Sequence, residues 1–395
     1  MNARAEALFG PASTQLPRLL AGLRRDRPLT MAEHVELHGP LPRRRDLIDA
    51  AAASGLGGRG GAGFPTGRKL AAVATARGRK LVLANGIEGE PVSDKDKTLL
   101  RCAPQLVLDG AVAAADAIGA REAVVAVSAD ARRELAALEA AIAERRERRV
   151  RLEVLTVPSG FVSGEETALV NRLGGGPAKP TFVPPRPFER GILVQNVETL
   201  AQLALVARHG PHWFRGLGSD EEPGSALVTI TGAVARPGVY EVALGERLDR
   251  VLGAAGGPSE PLRALLVGGY FGGWVDASRT AWLRLLDADL RAAGASLGAR
   301  AIVALPATAD GLGESARIAR YLAAESAGQC GPCVNGLAAI AGALERLAAR
   351  EPRAGDRERL ERWLAQIRGR GACRHPDGAA GFVASALRVF AEDAW

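Results

Sequence analysis

Three cysteines pose the first chemical question. Cys330 and Cys333 form a C-x-x-C pair inside ESAGQCGPCVNG (325–336), and Cys373 follows forty positions after Cys333. Thiols at this spacing suit three chemistries. Structural zinc takes four ligands, and His375, two residues past Cys373, is available as a fourth. A thioredoxin-type dithiol belongs after a strand in a βαβ setting, and the surroundings here read as helix. An iron–sulfur cluster is usually held by four thiolates. The remaining cysteine, Cys102, reads as a small buried hydrophobe.

Glycines pose the second question. In GLGGRGGAGFPTGRK (55–69), eight of fifteen positions are Gly or Ala. Such a loop lets backbone N–H groups approach an anion, and Lys69 adds a point charge. Leu70 follows the lysine, so the phosphate-loop pattern G-x-x-x-x-G-K-[ST] is not met. A phosphate or nucleotide site is the reading; a flexible linker is the bland alternative. Two acidic loops, NGIEGEP (85–91) and GEETALVNRLGG (164–175), each follow an apolar strand. Carboxylates there either accept from ribose hydroxyls or cap helix N-termini. QNVETL (195–200) enters a helix, with Asn196 as a plausible cap.

These motifs need elements to hold them. LVLAN (81–85), AVVAVSA (123–129) and RLEVLTV (151–157) read as strands. Helices over 43–58, 104–120 and 131–147 alternate with them. That alternation predicts an α/β layer on a mostly parallel sheet. After residue 222, short strands and one helix predict a small α+β unit. From 311 onward apolar residues recur at three and four, which predicts a helical bundle. Cys330 and Cys333 fall in the loop between its first two helices, and Cys373 in the loop before its last. Residues 1–45 read as an extended arm with one short helix.

Composition narrows the function classes. The chain has 395 residues, enough for two or three domains, and a net charge of +7. The Arg runs interleave with acids at helical spacing, as solvated faces do, and leave room for an acidic protein partner. Aromatics are 4%, too few for stacking platforms, so nucleic acid is not expected as a partner. Four cysteines make no disulfide framework. With neither a signal core nor a spanning apolar run, a cytoplasmic location is expected.

Taken in order, the motifs resemble the family of flavin-binding, NADH-oxidising subunits of respiratory complex I, with the related diaphorase subunits of hydrogenases and formate dehydrogenases. The resemblance covers about residues 28–395. It rests on GRGGAGFPTG (58–67), the N-x-x-E-x-E-P loop of Asn85, Glu88, Glu90 and Pro91, GEETAL (164–169), K-P-x-F from Lys179 to Phe182, and NVETL (196–200). TGAVARPGVYEV resembles the family's β-grasp (SLBB) domain, and the C-terminal helices its cluster-binding bundle. It implies an α/β FMN/NADH domain at 46–222, an SLBB β-grasp-like domain at 223–310 and an iron–sulfur bundle at 311–395. FMN would be held by Gly58, Gly60, Gly61 and Gly63 of the glycine loop and by Asn85, Asn196 and Thr199. Phe64 and Phe182 would lie near the adenine or nicotinamide of NAD(H). Glu90, Glu166 and Lys179 would contact the dinucleotide, and Lys69, Glu88, Gly164 and Glu165 complete the site. The implied activity is NADH dehydrogenation. Electrons would pass through FMN and a cluster on Cys330, Cys333 and Cys373 to a ferredoxin-like or thioredoxin-like [2Fe–2S] protein, or to a membrane redox subunit at the inner face of the membrane.

The departures matter. Ile87 stands where the family usually has Asp, Ala72 where it has Phe, Leu70 where it has Trp, and Phe161 where Tyr is common. Ala327 replaces the first cysteine of E-S-C-G-x-C-x-x-C. Three thiolates could hold a three-iron (3Fe–4S) cluster, or a four-iron (4Fe–4S) one whose odd iron takes water, His375 or a partner's ligand. The alternative function is a non-catalytic electron-transfer or scaffold subunit that has lost its NADH site.

Overall fold

The computed structural model describes residues 16–24, 27–182, 186–390 and 392. Of the N-terminal arm expected over 1–45, residues 1–15, 25 and 26 lie outside them. The described part of the arm carries one helix, α1 (Met31–His38), as expected. Then come α2 (Leu47–Ser54), α3 (Thr66–Thr75), β1 (Leu81–Asn85), α4 (Lys95–Cys102), α5 (Pro104–Ile118), β2 (Glu122–Ser128), α6 (Arg132–Glu144), β3 (Arg151–Val157), α7 (Glu166–Leu173), β4 (Ile192–Asn196) and α8 (Val197–Arg215). The four strands form one parallel sheet in the order β3-β2-β1-β4. Apolar runs in the sequence mark three of them. They do not mark β4, whose Ile-Leu-Val run belongs to a strand of only five residues, nor the helix α4.

Scarce aromatics make this core depend on close backbone approach. α5 has Pro104 in its first turn, an Ala- and Leu-rich body, and Gly119 in the left-handed conformation at its end. It lies so tightly on α8 that a Cβ on Gly110 would stand 1.9 Å from the carbonyl oxygen of Leu200.

The second sheet contains β5 (Ser225–Gly232), β6 (Gly238–Ala243), β7 (Leu262–Val267), β8 (Gly273–Asp276) and β9 (Ala301–Pro306), in the order β6-β5-β9-β7-β8. Helices α9 (Leu248–Ala254) and α10 (Asp287–Ala292) complete this small α+β unit. The bundle follows: α11 (Gly311–Ala324), α12 (Ala338–Ala348), α13 (Asp356–Ile367) and α14 (His375–Val389). One element differs from expectation. Cys333 lies in a π-helical turn, Pro332–Leu337, that runs into α12, and only Cys330 precedes it. One Arg run also departs from a solvated face. Arg145 is buried and donates to Asp109 at 2.7 Å and to Gln105 at 3.0 Å.

Candidate functional site

The sheet brings the motifs to one edge. β1 and β4 are parallel neighbours, and their last residues, Asn85 and Asn196, sit in register. Both therefore lie at the carboxyl ends of strands, where open α/β sheets hold ligands. Asn196 caps α8: its Oδ1 accepts from the N–H groups of Glu198 (3.0 Å) and Thr199 (3.4 Å). Thr199 Oγ1 accepts the backbone N–H of Arg59 at 2.8 Å, which docks the glycine loop on this helix start. Gly60 lies against the cap itself: a Cβ there would stand 3.1 Å from Asn196 Cβ. Gly61 and Gly63 have φ of +101° and +64°, conformations that side chains disfavour. Gly58 donates to the carbonyl of Phe64 at 2.9 Å and closes the loop.

Two arginines missed by sequence reasoning support this loop. Arg300 donates to the carbonyl of Arg59 at 2.6 Å, and Arg59 to that of Pro223 at 3.2 Å. Both are buried, and neither makes an ion pair with a described carboxylate. Burial and the neighbouring Arg300 pull Arg59 down to about 10, so it stays cationic near neutral pH. Positive charge under a loop of N–H groups favours an anion above it. Arg300 lies far downstream in another sheet, so only the fold reveals it.

The acidic residues divide by task. Glu88 caps α4: its oxygens accept from the N–H groups of Lys95 (3.1 Å), Asp96 (3.2 Å) and Lys97 (3.1 Å), and from Ser93 Oγ. Glu165 caps α7, accepting from Thr167 N (2.9 Å) and Ala168 N (3.0 Å). Glu90 reaches the other sheet and accepts from the N–H of Tyr270 at 2.8 Å. Burial pushes both Glu88 and Glu90 up to about 7. Lys69 Nζ stands 3.1 Å from Glu166 Oε1, yet that buried oxygen accepts no hydrogen bond. Asn85 Nδ2 donates to the carbonyl of Gly164 at 2.8 Å and joins the two acidic loops. Ile87 packs where a Cβ on Gly164 would stand 3.1 Å away. Lys179 and Phe182 lie exposed on the segment after α7, which Thr181 N ties to Thr167 Oγ1 at 2.9 Å. Phe64 and Phe182 are 48% and 59% exposed, unusual for rings this size without something to cover them.

Beneath the edge lies a buried charge network with no clear sequence signal beyond the adjacent Lys-Asp pair. Lys95 Nζ donates to Asp96 Oδ1 at 2.7 Å and to Glu198 Oε2 at 2.9 Å. Asn196 Nδ2 donates to Asp96 Oδ2 at 2.8 Å, and Leu227 N to Glu198 Oε1 at 2.9 Å. The cap of α8 is thereby tied to α4 and to the second sheet.

The thiols gather at the bundle. Cys333 is buried, and Cys330 and Cys373 are half-buried; all are free. Burial, with Cys330 and Cys373 as neighbours, pushes the Cys333 thiol up to about 12. Burial also raises Cys373, against a hydrogen bond from the His375 backbone N–H. The Cys330 and Cys333 pair sits at a helical turn between two helices, so the strand-led βαβ setting of a thioredoxin-type dithiol is absent. His375 is anchored through one ring nitrogen, and its other, buried Nδ1 has no hydrogen-bond partner. Its ring is stacked edge-on to Phe161 and Phe271, and its Nε2 donates to the carbonyl of Leu322 at 2.7 Å. Among the described residues no three His, Cys, Asp or Glu side chains are placed to hold one metal ion. Zinc requires sulfurs only about 3.8 Å apart, from its tetrahedral Zn–S length. A cluster spreads its ligands over several irons. Cys102, at the end of α4, is half-buried beside Arg101 and Asp94.

The two sites adjoin. Phe161, in the loop after β3, packs on Phe271, Tyr321 and His375 with ring centroids 4.7, 6.0 and 5.6 Å away. Its N–H donates to Glu325 at 2.9 Å, and Glu325 opens the cysteine segment.

Comparison with known proteins agrees with this geometry. Residues 51–205 match the Nuo51 FMN-binding domain, 227–269 the SLBB domain, and 314–394 the NADH-ubiquinone oxidoreductase-F iron-sulfur binding region. An F-type NADH-quinone oxidoreductase chain of Rhizobium meliloti (strain 1021) is 34% identical over 367 residues, covering 87% of each chain. The F-type chain of the Streptomyces coelicolor NADH-quinone oxidoreductase is 32% identical, over 88% of this chain and 82% of its own. The crystal structure of an NAD+-reducing [NiFe]-hydrogenase in the H2-reduced state superposes with a TM-score of 0.82 at 31% identity, over 89% of this chain; the match spans 62% of the hydrogenase chain. The chain belongs to the family of F-type NADH-quinone oxidoreductase chains, the complex I-like flavin-binding subunits related to hydrogenase diaphorases.

Proposed function

We propose that this chain is an FMN-dependent NADH dehydrogenase (diaphorase) component that passes electrons through an iron–sulfur cluster to a separate protein. The observation that carries this reading is the contact between the two sites. The loop after β3 leads from the strand edge directly into the Phe161–Glu325 joint beside the thiols. The α/β unit (46–222), the β-grasp unit (223–310) and the bundle (311–395) divide the work.

The residues fit FMN. The close approach of Gly60 to Asn196, the open space beside Gly63, the positive-φ glycines and the cations below them suit a phosphate and the edge of a flat ring. Asn85, Asn196 and Thr199 hold the surrounding loops in place. Glu166 pairs with Lys69 at 3.1 Å and keeps 36% of its side chain exposed, so its carboxylate can still accept from a ribose hydroxyl. Phe64 and Phe182 would cover the base or nicotinamide and exclude water. Glu90 and Lys179 would reach the dinucleotide from either side. Bound FMN supplies the conversion of a hydride pair into single electrons; the protein aligns donor and acceptor and tunes their surroundings. No general base is needed.

The thiols fit a cluster with one corner that is not a protein thiolate. Cys330, Cys333 and Cys373 gather, whereas Cys102 lies in the α/β unit. That makes the cluster 3Fe–4S, or 4Fe–4S with a fourth ligand from outside the cysteines. No described helix is long and apolar enough to cross a membrane, so a ferredoxin-like or membrane-bound partner carries the electrons onward. We place that exchange in the reducing cytoplasm, where thiols stay free.

The test is an anaerobic titration of FMN-reconstituted protein with NADH. The flavin band bleaches if the reading holds. Full flavin and iron content with no bleaching by NADH or NADPH supports the scaffold reading, which Ile87 and Ala72 favour.

A further inference from the structure

The stretch around Cys373 carries a second pattern. Residues 362–374, RWLAQIRGRGACR, contain four arginines and no acid. Arg362, Arg368, Arg370 and Arg374 are all exposed. Arg374 pairs with Asp377 at 2.9 Å and keeps 89% of its side chain in solvent. The other three make no ion pair with a described carboxylate. Elsewhere in the bundle Arg317, Arg320 and Arg346 are each paired with an acid, while Arg350, Arg353 and Arg388 make no ion pair with a described carboxylate.

The arginines border the thiols. Cys373 lies between Arg370 and Arg374 in sequence. The end of α13 also packs on the turn that holds Cys333: a Cβ on Gly336 would stand 2.5 Å from Ile367 Cγ2. On that turn Val334, next to Cys333, is 52% exposed. An apolar spot beside a cationic rim is the anatomy of a protein interface. The flavin-side motifs lie elsewhere, at the strand edge.

We propose that the surface formed by Arg368, Arg370, Arg374 and Val334 docks an acidic one-electron carrier protein over the cluster. The inference rests on the electron-transfer reading above and adds to it where electrons leave and what charge the acceptor bears. Three unneutralised or barely neutralised cations steer an anionic surface to this face, and rim charges of this kind raise association rates by roughly 10- to 1,000-fold at low salt. The apolar spot then brings the acceptor within short range of Cys333 and Cys373. One electron leaves the reduced cluster and one arrives at the carrier; no bond is made or broken.

The experiment measures binding, so it does not depend on turnover. Oxidised plant-type [2Fe–2S] ferredoxin, an acidic carrier, is titrated onto the FMN- and cluster-loaded protein at ionic strengths from roughly 0.02 to 0.3 M. Binding should weaken about tenfold or more across that range. R368E/R370E should weaken it about tenfold at low salt, while R368K/R370K should restore it. The visible cluster spectrum of each variant reports an intact fold. Salt-insensitive binding, no effect of R368E/R370E, equal binding of the basic carrier cytochrome c, or preference for phosphatidylglycerol vesicles over ferredoxin overturns the proposal. Flavin bleaching by NADH is read on the same samples. Its absence counts against the dehydrogenase reading, and its presence without ferredoxin binding counts against the docking surface alone.

Discussion

Replacing Lys95 with Met tests whether the buried charge network holds the flavin edge together. Lys95 is 2% exposed and faces Asp96, 4% exposed, and Glu198, fully buried. Its ammonium lies within 2.9 Å of both carboxylates. The Met side chain fills similar space, so packing changes little and the charge is what goes. Two carboxylates then face each other without a cation. Breaking a buried pair in this way costs about 3–5 kcal/mol. An independent bound gives the same size. The site can take up a proton instead, and protonating a carboxylate of ordinary pKa at pH 7 costs about 4 kcal/mol. Against a domain stability of about 5–15 kcal/mol, the variant still folds but melts well below wild type. The bound also predicts the pH response. Burial already holds the Asp96 carboxyl above its ordinary value, and loss of the cation, which opposes this, raises it further. Stability from the protonated form is then present at low pH and lost as pH rises, so the deficit should shrink between pH 7 and pH 5. K95M/E198Q, which removes one of the stranded charges, should recover about half the loss. Asn196 shares Asp96 with this network, so FMN affinity should fall about tenfold as the cap of α8 loosens. Thermal melts of the FMN-loaded protein and flavin fluorescence titrations, each at both pH values, make the measurement. A K95M melt within about 1 kcal/mol of wild type at pH 7, or a deficit that does not shrink at pH 5, refutes the argument.

Three further outcomes follow. E90Q should stabilise the protein at pH 8 by about 2–3 kcal/mol and leave it unchanged near pH 4.5, because burial raises the Glu90 carboxyl to about 7 and its protonated-state stability is lost as pH climbs through that value; melts across pH check it. G60V should abolish flavin retention on gel filtration while shifting the melt by no more than about 1–3 kcal/mol, since a Cβ already stands 3.1 Å from Asn196 and a branched side chain goes further into the cradle. A327C supplies a fourth thiolate to the existing three. A 3Fe–4S wild type should gain iron to about four per chain, with its electron paramagnetic resonance signal moving from the oxidised to the reduced state, whereas a 4Fe–4S wild type keeps its count; no iron in either protein contradicts the three-thiolate assignment.

Much of the architecture was legible because its signals are local. β2 is an unbroken apolar run, α5 has Pro at its start and Gly at its end, and Asn196 stands where a helix begins. The glycine loop could be placed after a helix on composition alone, although that helix ends at Ser54 and the helix α3 that follows the loop was not read. What stayed hidden is what arises between distant segments. Arg300 under the glycine loop, Glu325 on Phe161, and Lys95 with Glu198 are pairs 241, 164 and 103 positions apart, and no spacing rule links them. β4 was missed because five residues before a helix carry too little periodicity to separate strand from helix. His375 drew attention by lying two residues from Cys373. In the helix that starts there, its Nε2 turns to Leu322.

The acidic motifs make the more general point. Glu88 and Glu165 were open to two readings, ligand contact or helix cap, and in the structure both accept from helix N–H groups. The two readings share one physical cause. A helix start at the carboxyl edge of a sheet carries partial positive charge, and it attracts whatever anion is near: a side chain, or a phosphate. Where the chain supplies its own carboxylate, as at α4 and α7, the helix start is occupied and the loop is held rigid. At α8 the cap is the neutral Asn196, with Gly60 packed closely on it, open space beside Gly63 and two buried arginines nearby. That is the one of these three helix starts left without an anion of its own at the cap position, which is why we propose that the flavin phosphate lies there and not beside Glu88 or Glu165. The distinction lies in the charge of the capping residue, so it was present in the sequence from the outset; only the register of Asn85 and Asn196 shows that the three starts share an edge.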